Sequence, residues 1–143
     1  MIRTLIASSA LALFASSAVA APVQFTPGKW TADMNMTAMG ESFSESMTDC
    51  MGDEEANMEP TDLAQEFAGG ANCTASNVQQ SGNTVSFQMS CPGEAMNSAD
   101  ITLTYTESNF TMNGDIQLDI GNGQFMPATM VVNANYVGAC DLY

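Results

Sequence analysis

Methionine is the residue type here whose numbers and spacing could do chemistry. Twelve occur in 143 residues, and Met34, Met36 and Met39 lie close together. Thioethers are soft ligands that suit Cu(I), so these three form a candidate metal site. Three other readings compete. Met can serve as an oxidation sink. It can line an adaptable apolar pocket, because it repacks around varied ligands. It can also simply fill a core, and Met34 and Met36 share the strand parity of Trp30. The leading functional expectation is a binding module with an apolar, Met-lined pocket for a small apolar ligand. A Cu(I)-handling protein is the alternative.

Most other catalytic equipment is missing. The chain has sixteen Asp and Glu, two Lys and Arg, and no His. Without imidazole there is no ready general base or proton shuttle at neutral pH. No catalytic residue is assigned, and a non-enzyme is expected. An acidic-site hydrolase is the outside alternative, because carboxylate pairs can cleave glycosides. Asp33, Asp115 and Asp119, however, fall on strand faces turned away from the apolar residues. Asp49, Asp53, Glu54, Glu55 and Glu59 form an acidic stretch beside Cys50. It lacks EF-hand spacing and reads as a solvated loop. The formal net charge of −14 excludes nucleic acid as a partner, since phosphates would be repelled. It disfavours anionic membrane surfaces for the same reason.

The N-terminus explains where such a chain goes. Met1-Ile2-Arg3 is a short basic start, Leu5 to Val19 is apolar, and Ala18-Val19-Ala20 is a small-x-small cleavage site. Residues 1–20 therefore read as a signal peptide. Residues 21–143 form one domain with no stable membrane insertion after cleavage, in a periplasmic or secreted location. The signal holds Arg3 and no acid, so the mature chain is one charge more negative and keeps Lys29 as its single basic side chain.

Four cysteines in an exported chain predict two disulfides. Ser81-Gly82-Asn83 is a turn signal. A hairpin centred on Gly82 places Cys73 directly opposite Cys91, within bonding reach. Cys50 is then left for Cys140. This register puts Val78 on the wrong face relative to Val85, Phe87 and Met89, which a bulge near the turn would correct.

Elsewhere, apolar and polar residues alternate. Ile101, Leu103 and Tyr105 form one apolar series, and Phe110, Met112, Ile116 and Leu118 form another. A hairpin centred between Glu107 and Ser108 sets Tyr105 against Phe110, Leu103 against Met112, and Gly114 against Ile101. The apolar faces then coincide, as a half-buried sheet requires. After Gly121-Asn122-Gly123, Met126 to Tyr136 continues the pattern, with Pro127 placing that strand's start at an edge or a bulge. Trp30 to Met36 and Phe43 to Met47 read as a first hairpin turning near Met39-Gly40. Pro60 to Phe67 reads as a short helix closed by Gly69-Gly70. The expected fold is all-β. About seven strands form an antiparallel meander curled into a half-barrel or small barrel. One short inserted helix and two disulfides complete it.

These residues resemble a known family. Pro27-Gly28-Lys29-Trp30 opens the domain, a Met-rich hairpin leads to Cys50, and Cys73 and the segment Ser81 to Cys91 follow. Gly138-Ala139-Cys140 lies at the end. The pattern is similar to small exported proteobacterial proteins catalogued as a domain of unknown function, over about residues 25–141. The resemblance implies periplasmic residence and a compact β fold, and it implies no activity.

Overall fold

The computed structural model describes residues 21–69 and 72–141. The proposed signal segment lies outside them. Nine strands and one helix follow in chain order: β1 (Val23–Gln24), β2 (Gly28–Ala38), β3 (Glu41–Met51), β4 (Asn57–Met58), α1 (Pro60–Ala68), β5 (Thr74–Ser81), β6 (Thr84–Ser90), β7 (Met96–Tyr105), β8 (Asn109–Gly121) and β9 (Gln124–Gly138). Seven of the strands form one antiparallel sheet in the order β3-β2-β9-β8-β7-β6-β5, and β1 pairs with β4. Strands β5 to β9 are a meander. The first hairpin joins it through pairing of β2 with β9. Strands β3 and β5 stay as free edges, so the sheet is a half-barrel and not a closed one.

Turn chemistry sets the registers. Met39 and Gly40 both take positive φ, 54° and 77°, in the two-residue turn between β2 and β3. That is the geometry matching the twist of a tight hairpin. The β7–β8 hairpin has the expected register, with Tyr105 facing Phe110, Leu103 facing Met112 and Ile101 facing Gly114. The loop between β5 and β6 is one residue shorter than expected, because Ser81 pairs with Thr84 and only Gly82-Asn83 remain. The compensating bulge lies between Ser76 and Gln79, where Asn77 adopts φ 51°. The extra residue switches strand parity. Val78 consequently packs against the core with Ala75 and Cys73. The same bulge restores the register that puts Cys73 opposite Cys91. The structure joins Cys73 to Cys91 and Cys50 to Cys140.

Pro127 sits in β9, a central strand, which would ordinarily exclude proline. The β2–β9 ladder ends at Ala38 and Ala128, however, so at Pro127 only β8 is a neighbour. The proline thus occupies a local edge.

The core lies on the concave face. Phe87, Leu103, Ile116 and Val85 are fully enclosed, each worth roughly 1.5–3 kcal/mol of hydrophobic burial. The outer face carries polar pairs instead. Asn35 accepts from Ser44, Asp33 from Ser46, and Asn133 from Thr111. Helix α1 starts with Pro60 and stops at Gly69, whose φ of 45° closes the last turn through a bond from Gly69 N–H to Gln65 O. It buries Leu63 and Ala64 and packs against β5 and β6.

Candidate functional site

The segment from Gly52 to Cys73 starts at one free edge, β3, and ends at the other, β5. It must therefore cross the open side of the half-barrel. Its helix settles on the β5 side and leaves a gap toward β2 and β3. That gap is a cavity of about 330 Å³, near the lower end of the range for small-molecule sites, roughly 300–1,000 Å³.

Its wall is mainly apolar, with four aromatic side chains (Phe25, Trp30, Phe67 and Phe110) among eleven lining residues. Phe25, Trp30 and Phe110 form a cluster with ring centroids 5.6 to 5.9 Å apart. Trp30 is held in place by its indole N–H, which donates to Thr26 O at 2.8 Å. Leu63 and Phe67 line the cavity from α1, and Met51 and Met58 from β3 and β4. Cys50 also borders it, so the bridge to Cys140 anchors this wall to the C-terminal end of the chain.

Three carboxylates complete the lining: Asp49, Glu55 and Glu66. All three residues are exposed. Asp49 faces Trp30 in the β2–β3 register and so shares the concave face. Its Oδ1 accepts from Cys50 N–H at 2.8 Å, and Glu55 Oε2 accepts from Gly52 N–H at 3.0 Å. Among the described residues the one ion pair is Lys29 with Asp141, at 3.0 Å. No cation therefore neutralises the rim from within these residues.

The candidate thioether residues lie elsewhere. Met34 and Met36 are half-buried and pack against the core on the concave face of β2. Met39 sits in the hairpin turn, 80% exposed. The first two are neighbours on one face, and the third is separated from them. None of the three lines the cavity, whose methionines are Met51 and Met58. Among the described residues no three His, Cys, Asp or Glu come together to hold a metal ion.

The acidic stretch beside Cys50, read as a solvated loop, thus contributes Asp49 and Glu55 to the cavity rim. Sequence reading did not find Phe25, Phe67 or Phe110 as lining residues. The strand parity shared by Trp30 and Asp49 was the available signal, since alternate residues of β2 and β3 line one face.

A family model described as a protein of unknown function, DUF3617, matches residues 25–140. The chain belongs to the DUF3617 family. The match begins at Phe25 and ends at Cys140, so it contains the whole cavity lining and both disulfides. The Pro27-Gly28-Lys29-Trp30 opening of this DUF3617 chain has a structural reason. Gly28 has φ 144°, and a Cβ there would lie 2.5 Å from Gly138 O and 2.6 Å from Tyr136 Cε2. Two residues on, Trp30 enters the aromatic wall. No curated protein and no solved structure shows significant similarity to the chain.

Proposed function

We propose that this protein is a non-catalytic binding module that holds a small, largely apolar ligand in the cavity between α1 and the β2–β3 hairpin. The observation carrying this reading is the lining itself. Aromatic and aliphatic side chains from β2, β3, β4, α1 and β8 converge on one open space, and a ligand filling it would remove that surface from water. The absence of imidazole and the exposure of every rim carboxylate favour binding over catalysis. The two disulfides favour an oxidising compartment, and we place the mature chain in the periplasm.

Trp30 is the sole tryptophan, so its fluorescence reports on the site. Titration with the neutral apolar probe N-phenyl-1-naphthylamine should shift the Trp30 emission and saturate at one probe per protein. Leu63→Phe, which adds bulk from the helix side and keeps Trp30 as the one tryptophan, should weaken binding while keeping the fold's circular dichroism. Unchanged probe binding in that variant would place the ligand elsewhere.

A further inference from the structure

We infer that the ligand is an organic cation: an ammonium group carried on an apolar or aromatic body. This rests on the cavity being a ligand site. Two independent features of that cavity converge on the same chemistry. The first is the aromatic wall. Phe25, Trp30, Phe67 and Phe110 line the cavity, and an aromatic ring attracts a cation through its quadrupole. The second is the charge at the rim. Asp49 and Glu55 each have one oxygen fixed by a backbone N–H, which leaves a second oxygen for a ligand, and Glu66 approaches from α1. Among the described residues, an anionic ligand would meet three lining carboxylates and no lining cation.

The arrangement also selects against a bare metal ion. The carboxylates ring the opening without converging, so no close set of hard oxygen donors forms of the kind Ca²⁺ or Mg²⁺ needs. A diffuse ammonium needs no such set. It can sit within reach of both the dispersed charges and the rings.

Three probes of matched shape test this: benzyltrimethylammonium, its neutral carbon isostere neopentylbenzene, and the anion phenylmethanesulfonate. Binding is read from Trp30 fluorescence at low ionic strength. The cation should bind at least about tenfold tighter than the neutral isostere, the scale expected of combined cation–π and charge attraction, and the anion should bind weakest. In the triple variant Asp49→Asn, Glu55→Gln, Glu66→Gln the preference should vanish, with the neutral probe held within about twofold, as for a surface change outside its contacts. A control removes outer-face charges through Asp33→Asn, Asp115→Asn and Asp119→Asn, and it should retain the preference.

Equal binding of cation and neutral isostere would overturn the cation inference and leave the cavity as an apolar site. Loss of preference in the control as large as in the rim variant would assign it to overall charge and overturn the inference too. Failure of every probe to bind would remove both readings.

Discussion

Trp30 and Asp49 face each other across the β2–β3 ladder, so a buried indole and an exposed carboxylate stand together on the concave face. Their roles should separate on mutation. Asp49→Asn keeps an oxygen that can accept from Cys50 N–H, and its stability should stay within about 0.5 kcal/mol of wild type, as for most surface changes. Trp30→Ala empties the centre of the aromatic cluster and should cost about 3–5 kcal/mol. Urea denaturation followed by circular dichroism measures both. A large loss in Asp49→Asn would make that carboxylate a structural element of the fold and not of the rim.

Gly28 passes Gly138 closely at the start of the β2–β9 ladder, beside Tyr136. Gly28→Ala combines an unfavourable φ with contacts no Cβ tolerates. A destabilisation of about 2–6 kcal/mol is expected, the sum of typical backbone strain and overpacking costs. Gly82→Ala is the comparison. Its φ of 59° is also positive, but open space surrounds it, so it should lose only the strain, about 1–3 kcal/mol. Equal midpoint shifts in the two variants would mean that the close approach to Gly138 carries no weight.

The two disulfides differ in loop length and in exposure. Cys50–Cys140 spans 90 residues and Cys73–Cys91 spans 18. In the chain-entropy model these contribute roughly 4.6 and 3 kcal/mol. Cys50 is exposed, whereas Cys91 is fully buried, and thiol exchange depends on access. Limited dithiothreitol with trapping by iodoacetamide should therefore label Cys50 and Cys140 first. Because Cys50 borders the cavity, the partly reduced protein should also bind an apolar probe less tightly. Peptide mapping that finds Cys73 and Cys91 labelled first would reverse this order.

Much of the fold was legible because a half-buried sheet writes itself as alternation. Tyr105 and Phe110, or Leu103 and Met112, announce their pairing by sharing a face about a short turn. The Cys73–Cys91 pair was legible for the same reason, although its register depends on an unpaired residue near Asn77 that only Val78 betrayed. The cavity was not legible. Phe25, Trp30, Phe67 and Phe110 come from distant stretches, and they meet only because Gly52 to Cys73 must cross between two free edges. No local period encodes that crossing. The methionine spacing drew attention to β2, but those thioethers read equally well as core, and the acidic stretch looked like solvent-facing loop.

The position of Met39 bears on copper. Met34 and Met36 pack against the core while Met39 projects from the turn, so the three do not form a ready thioether set. An anaerobic titration with Cu(I) under reducing conditions should show no binding tighter than micromolar. The double variant Met36→Leu, Met39→Leu should melt near wild type, because Leu and Met have similar volumes and such exchanges usually cost under ~1.5 kcal/mol. Tight Cu(I) binding that disappears in this variant would establish the metal site instead.

The free edge of β3 is long, and exposed edges invite pairing between molecules. Among the described residues no strand pairs with the outer side of Glu41–Met51, where Cys50 N–H is taken up by Asp49, and Phe43 and Met47 are 61% and 49% exposed. On the concave face, however, Glu41, Phe43, Glu45, Met47 and Asp49 alternate acid with apolar. A second β3 docking antiparallel along this edge would bring carboxylates against carboxylates, and like charges directly opposite are destabilising. Glu45 is the central charge, opposite Met34. Glu45→Val removes it and raises strand propensity, so the variant should self-associate with rising concentration in sedimentation velocity. Its circular dichroism at low concentration should match wild type. Glu45→Gln separates the two effects, since it removes the charge without adding a β-branched side chain, and it should associate less strongly. Wild-type-like monodispersity of Glu45→Val at every concentration would show that this carboxylate does not guard the edge.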